Sequence, residues 1–590
     1  MTTRSRAIPR LPFTRKPSLE GFRHDLSSAQ ALPQLAVLAI AAGLLTGAVT
    51  LGFRAAIDYL LGGFLLPAGP ESFEALPREE RWLLPLAGVA VLVAGFALLR
   101  TGNVRFGVVH VMERLSRHQG YMPMRNAVAQ FFGGIVALVA GVPGGREGPA
   151  IHLGAASASL MGQAFELPNN AIRTLVACGT AAAIAGSFNT PMAGVIFAME
   201  VVMMEYTIGS FIPVILAAVT ATLMTHYFIG PEPAFAVAPL QLATLLEIPF
   251  VVLCGVVIGA LAASYSSLVQ VFTRFHGRPF WQRGLVVAML TAAAGWAAPE
   301  IMGVGYDTVN AAMAGELALT ALVTVALLKG LTSAAAVGLG MPVGIIGPTF
   351  VIGAVVGGLL GLLGSALGSG DAASPGFYVM LGMAAMMAAV LQAPLAALMA
   401  VLELTANPNV ILPAMLVIVV ATMVAGVTFR QKSVFLSSLA TLGLQYPPDP
   451  VRAHLQRAGV ASIMNRSLAR LAETCTAAEA RQALAAAPRW IVVETEPGRV
   501  RCVLNAIDLR AHLDEEAPAD DAAVSLLAIP GVRRDAGDID YRATLDEAYA
   551  KLRSPDVEAL CVRRTSAPMI ASVRGVIVQE DIDNYRESAA

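Results

Sequence analysis

The sequence predicts a polytopic, all-helical membrane domain made of two related halves with interrupted helices, followed by a smaller α/β domain. Three observations carry this prediction. The chain of 590 residues is 56% hydrophobic and 14% charged, with a mean hydropathy of +0.66, whereas a soluble chain carries about a quarter charged residues. A glycine-rich stretch bearing an arginine and a carboxylate, Gly141-Val-Pro-Gly-Gly-Arg-Glu-Gly-Pro-Ala-Ile-His-Leu-Gly154, interrupts long apolar sequence. Two pairs of short motifs also recur about 200 residues apart.

Composition excludes several function classes. The net charge is -1 and no basic–aromatic patch points to nucleic acid. The five cysteines are scattered, without CxxC spacing, so neither a disulfide framework nor a zinc site is indicated. No HExxH and no GxxxxGK[ST] occurs, which removes zinc-protease and ATP-pump readings. With no nucleophile–base pair in the apolar part, the chain is expected not to be an enzyme and to need no metal or cofactor.

In chain order, residues 1–31 form a polar, basic segment with Arg4, Arg6, Arg10, Arg15, Lys16 and Arg23. Its charge favours a cytoplasmic N-terminus, and a signal peptide would place its apolar core sooner. The membrane part is expected over 32–443. Its apolar segments lie near 32–64, 82–99, 123–141, 149–165, 170–186, 190–204, 209–228, 241–270, 284–298, 317–339, 349–367, 376–391, 394–404 and 409–428. Several are shorter than the roughly 20 residues a full crossing needs, and short, Gly/Pro-interrupted segments in matching places of two halves point to a transporter site.

The break at 141–149 has the chemistry of an anion site. Pro149 suits the first turn of a helix, where its missing N–H would have no partner. A helix beginning at 147–149 turns free N–H groups and its positive dipole end toward the break, which is how helix starts bind anions. Glu147 stands at that mouth: ionised it competes for the anion's place, and protonated it can withdraw. Glycine kinks also serve packing alone, but an intramembrane Arg146–Glu147 pair is too expensive to be incidental.

The repeat supports this reading. Pro149 and Gly154 have counterparts in Pro348 and Gly353, 199 residues on. Asn189-Thr-Pro-Met-Ala-Gly-Val-Ile-Phe-Ala-Met-Glu200 resembles Gln392-Ala-Pro-Leu-Ala-Ala-Leu-Met-Ala-Val-Leu-Glu403, with the prolines 203 apart. The duplicated halves run roughly over 32–228 and 241–443. Glu200 and Glu403 read as helix-end carboxylates held by neighbouring backbone or a basic group, while Lys329 either lines the pathway or pairs with an acid.

Residues 444–457, with Pro447-Pro-Asp-Pro450, mark a linker. Beyond it, 458–514 and 524–588 each read as helix, strand, strand and a closing helix start. The first module holds Asn505-Ala-Ile-Asp508 and the second Val578-Gln-Glu-Asp581.

On Gly145-Arg-Glu-Gly-Pro149, Ser187-Phe-Asn-Thr-Pro191 and Gly344-Ile-Ile-Gly-Pro348, residues 32–443 resemble the CLC chloride channel and transporter family, and the tail resembles a cystathionine-synthase-type (CBS) pair. The resemblance implies two inverted repeats, a multi-pass protein of the cell inner membrane with N-terminus and tail cytoplasmic, and a homodimer in lipid with one anion pathway per subunit. It implies Glu147 as the gate, with Phe106, Gly107, Arg146, Gly148, Gly344, Ile345, Ile346 and Phe435 around the small inorganic anion. In the tail, Asn505, Asp508 and Asp581 are the positions a ligand would meet. Nucleotide-binding members carry Thr or Ser where this chain has Asn505 and Val578, which argues against a nucleotide.

The departures shape the functional expectation. Phe106 replaces the family's coordinating serine, Ile346 its phenylalanine and Phe435 its pore tyrosine, so backbone N–H groups carry more of the coordination, and nitrate or bicarbonate compete with chloride as cargo. Exchangers of the family carry a second glutamate where this chain has Val201, with Glu205 and His152 the available substitutes. The expectation is therefore Glu147-gated anion movement, channel-like or weakly proton-coupled. The alternatives are a proton-coupled exchanger with a displaced relay and, from another class, a sensor whose tail is the output.

Overall fold

A computed structural model describes residues 19–588 except 29–30, 67–68, 99–103, 232–234, 236–246, 368–373, 445, 447–449, 497 and 568–569. The basic residues Arg4 to Lys16, the start of the 241–270 segment and Pro447–Asp449 lie outside the described residues. The chain divides into two compact units, one of Leu35–Glu166 with Ile172–Pro448, the other of Met1–Gln34, Leu167–Ala171 and Asp449–Ala590.

The first described element is a short helix α1 (Leu19–Asp25). The first half of the apolar unit follows with α2 (Leu32–Leu60), α3 (Arg78–Leu98), α4 (Gly107–Arg117), α5 (Met124–Val139), α6 (Glu147–Ala164), α7 (Asn169–Phe188), α8 (Pro191–Phe197) and α9 (Ile208–Phe228). The second half runs α10 (Ile248–Thr273), α11 (Phe280–Ala297), α12 (Tyr306–Ala314), α13 (Leu319–Gly338), α14 (Ile346–Leu367), α15 (Pro375–Leu391), α16 (Pro394–Thr405), α17 (Ile411–Met423) and α18 (Val434–Thr441). Among the described residues, 8 helices are long and apolar enough to cross a membrane, with shorter apolar ones between them. This is a multi-pass integral membrane fold of inverted repeats.

The repeat is visible element by element. Helices α4 and α12 both start 199 residues apart, as do α6 and α14. Each break opens on a glycine with positive φ, Gly141 at +73° and Gly340 at +76°, a conformation that costs a glycine nothing. The two breaks meet each other. Gly145 N–H donates to Gly344 O at 2.8 Å and Gly344 N–H to Gly145 O at 2.7 Å, an antiparallel bridge between equivalent residues. Pairing of a residue with its own counterpart places a local two-fold axis through the bridge. A Cβ on Gly344 would lie 2.5 Å from Gly148 N, so the approach depends on bare backbone.

The halves also cap each other. Glu200 Oε2 accepts from Ala396 N at 2.7 Å and Oε1 from Leu395 N at 3.2 Å, closing the start of α16. Glu403 does the same for α8, from Ala193 N at 2.8 Å and Met192 N at 2.9 Å. Carboxylates at helix starts satisfy orphan donors and complement the dipole. Lys329 is fully buried and donates to Ile301 O and Gly303 O at 2.9 Å and Val304 O at 3.1 Å. These bonds satisfy the carbonyls of the turn that precedes α12, and Asp307, Glu71 and Glu74 lie within electrostatic reach of the ammonium.

The second unit carries an α/β fold with α19 (Pro450–Leu455), α20 (Ala477–Ala485), α21 (Ala506–Glu516), α22 (Leu545–Leu552) and α23 (Gln579–Ser588). Its strands are β1 (Leu468–Ala472), β2 (Thr474–Thr476), β3 (Trp490–Glu496), β4 (Arg499–Asn505), β5 (Ala523–Ser525), β6 (Arg533–Asp540), β7 (Ala559–Ala567) and β8 (Ile570–Val578). A six-stranded sheet runs β1-β3-β4-β6-β7-β8. Each module contributes a parallel pair followed by an antiparallel one, β1–β3–β4 and β6–β7–β8. Both module helices, α20 and α22, start on a capping box, Thr476 with Glu479 and Thr544 with Glu547, a local signal that fixes a helix start without tertiary help.

Candidate functional site

The two-fold seam holds a cavity of about 80 Å³. About 10–15 Å³ of such space holds one water, so the cavity has room for a small ion with part of its hydration shell. Phe106, Gly107, Gly148, Gly344, Ile345, Ile346 and Phe435 all line it, together with Arg105 and His276. Four helix starts converge on it, those of α4, α6, α14 and α18. First-turn N–H groups have no intrahelical partner, and the positive ends of the dipoles favour an anion. Seven of the nine residues expected at the site thus meet at one place.

Apart from Arg105 and His276, side chains contribute little polarity there. Phe106 precedes α4 without a capping side chain, and its ring stacks on Phe96 with centroids 5.4 Å apart. Phe435 is 5% exposed. Ser438 and Thr273, at the cavity wall, spend their hydroxyls on Val434 O and Val269 O. Gly107 N–H is taken by Gln130 Oε1 at 2.9 Å, while Gln130 Nε2 donates to Pro342 O at 3.0 Å. Gln130 therefore ties the start of α4 to the second break, a role that no motif in the sequence announces.

Glu147 and Arg146 lie outside this cavity. Glu147 is fully buried, and its Oε1 accepts from the hydroxyl of Tyr306. Its Oε2 has no hydrogen-bond partner among the described residues and sits against Gly145 and Gly347, where built Cβ atoms would fall 2.2 and 3.2 Å from it. Arg146 turns its guanidinium over the Tyr306 ring, 5.4 Å from the centroid, with Nη1 3.8 Å from Asp58. The two-fold exchanges Gly344 with Gly145, Gly148 with Gly347 and Gly107 with Tyr306. The Glu147 carboxylate thus lies among the symmetry counterparts of three residues that line the cavity. Tyr306 went unnoticed in the sequence; the 199-residue offset from Gly107 is the signal that finds it.

Val201 sits in a π-helical turn, Ala198–Met203, and is 5% exposed. Beside it, Glu200 is engaged at α16. His152, one and a half turns into α6, pairs with His110 of α4, Nε2 to Nδ1 at 2.7 Å. Asn126 reaches the other face of His110 at 3.3 Å. Taking the Asn126 amide as donor, the chain of bonds runs Asn126 to His110 to His152, and among the described residues His152 Nδ1 ends it without a partner.

In the second unit, Asn505 accepts from Ile507 N at 3.2 Å and Asp581 from Val578 N at 3.0 Å, so both act as helix-start residues. Burial raises the Asp581 carboxyl above the usual carboxylate range, and the Val578 N–H partly opposes it. Asp508 lies against Gly531, where a Cβ would meet its Oδ2 at 2.5 Å.

Helix starts converging from two inverted repeats on a small cavity define a membrane protein for anion transport. A family model described as voltage-gated chloride channel matches residues 85–426. The chain belongs to that family, the CLC proteins. It is 27% identical over 403 residues to the H(+)/Cl(-) exchange transporter ClcA of Yersinia pseudotuberculosis, covering 66% of this chain and 84% of the relative. Among solved structures it resembles a slow cyanobacterial Cl-/H+ antiporter, with TM-score 0.61 and 22% identity over 69% of this chain and 98% of the other. It also resembles a eukaryotic CLC transporter, with TM-score 0.56 and 19% identity over 95% and 98%.

Proposed function

We propose that this protein exchanges a small anion, chloride first, for protons, with Glu147 as the gate. The observation that carries the proposal is the placement of the Glu147 carboxylate among the symmetry counterparts of residues that line the anion cavity, against Gly145 and Gly347. An ionised carboxylate there occupies an anion's position; a protonated one has no charge to hold it. The mechanism then needs little backbone motion, because anion and carboxylate alternate at helix starts already in place.

Proton coupling is preferred over the uncoupled movement expected from Val201, because the similar curated relative and the cyanobacterial neighbour are described as proton exchangers. The uncoupled reading keeps one specific support: Val201 carries no proton and Glu200 is spent on α16. Nitrate and bicarbonate remain alternative cargo, since Phe106 and Phe435 offer no hydroxyl. We assign the second unit as a cytoplasmic CBS pair, and a homodimer in the cell inner membrane as the working form.

Flux of chloride, nitrate and bicarbonate from liposomes, with internal pH followed in parallel, tests the proposal. The expected result is anion efflux that drives protons inward at a fixed ratio; anion flux with no proton movement selects the uncoupled reading. Glu147→Gln should abolish proton movement and leave anion flux nearly independent of pH. A variant with the wild-type pH profile removes Glu147 from the gate.

A further inference from the structure

The geometry points to Tyr306 as the positioning residue that holds the gating carboxylate outside the anion cavity, an inference that rests on the gate assigned to Glu147. Tyr306 is the first residue of α12, the counterpart of Gly107 on α4. At the cavity that position is a bare glycine; at the counterpart it is a phenol whose hydroxyl donates to Glu147 Oε1. One half of the repeat thus leaves room for an ion, and the other supplies a donor that grips a carboxylate.

Tyr306 is itself anchored on every side. Its N–H donates to Glu71 Oε2 at 2.6 Å. Gly305, at φ +86°, sets the turn before it, and Lys329 ties that turn down through three carbonyls. Phe235 packs edge-on at 5.2 Å and Phe188 lies at 6.2 Å. The Arg146 guanidinium covers the ring. The hydroxyl is therefore a fixed point, and the Glu147 side chain is the moving partner. Among the described residues Glu147 Oε2 has no hydrogen-bond partner, and the phenol is the one side-chain hydrogen bond there that holds the carboxylate in place. The charged groups acting on this pair are Arg146 beside the gate and Glu71 before α3, with Arg54 on α2 acting on Tyr306 and Asp58 paired to Arg146.

A donor to the ionised carboxylate favours the occupied, closed position and opposes protonation. Tyr306→Phe removes that donor while keeping the ring under Arg146. The expected result is a flux–pH curve whose midpoint moves up by about one pH unit, the size of one charge-assisted hydrogen bond, with anion selectivity unchanged. In the Glu147→Gln background the same substitution should change nothing further in the pH profile. Thermal unfolding of Tyr306→Phe checks that the fold is kept. If Glu147→Gln flattens the profile and Tyr306→Phe leaves the midpoint at the wild-type value, the tether is wrong and the gate stands. If Glu147→Gln keeps the wild-type profile, the gate falls and the tether with it. A further shift from Tyr306→Phe in the glutamine background would place its action at another group and overturn the tether.

Discussion

Cys561 lies fully buried on β7, and burial pushes its thiol up to about 12. An ordinary cysteine ionises near 8.5. The native state therefore keeps the proton that the unfolded chain releases, so the contribution is fully present below about pH 8.5 and is lost as pH rises toward the native value. Thermal midpoints measured from pH 8 to 10 should fall less steeply in Cys561→Ala than in wild type, though that variant starts lower. All five cysteines are buried and unbridged, so thiol reagents at pH 8 should label the native protein slowly and the denatured protein at five sites. Residue identity alone could not foretell this. Five scattered cysteines in the sequence exclude a disulfide pattern but do not disclose burial, which helix packing decides for Cys178 and Cys254 and the α/β layers decide for Cys475, Cys502 and Cys561.

At the scale of elements, caps and breaks were legible and their partners were not. The start of α6 follows from Pro149 and the glycines, because local backbone chemistry fixes where a helix begins. Glu200 and Glu403 were readable as helix-end carboxylates. That each serves a helix of the opposite half was not, since reciprocity arises only when the halves dock. Removing one such carboxylate leaves two first-turn N–H donors, one exposed and one part-buried, short of their acceptor, at about 1 kcal/mol. Glu403→Leu and Glu200→Leu should therefore each lower the thermal midpoint, while Glu403→Gln, which keeps an acceptor, should lower it less. The same reasoning explains the two residues the sequence hid. Gln130 and Tyr306 sit in no motif, and each matters through a contact with a distant break.

At the scale of the whole molecule, the repeat makes paired predictions possible. A Cβ on Gly154 would lie 2.4 Å from Gly179 O, and one on Gly353 2.4 Å from Gly382 O. These are equivalent contacts between α6 and α7 and between α14 and α15. Gly154→Ala and Gly353→Ala should each cost about 1–3 kcal/mol of overpacking, giving similar drops in thermal midpoint; a large difference between them would mean the halves are not packed alike. The duplication itself was legible from the motif offsets in the sequence. Its axis was not, because a spacing records how far apart two copies lie and not how they face.

The glycine bridge also limits how the protein can move. Prising the halves apart would strip two main-chain bonds in surroundings poor in water, where each unpaired group costs several kcal/mol. Rotating one side chain breaks a single contact. The seam therefore acts as a weld, and passage through it falls to a hinge no longer than a glutamate's own methylenes.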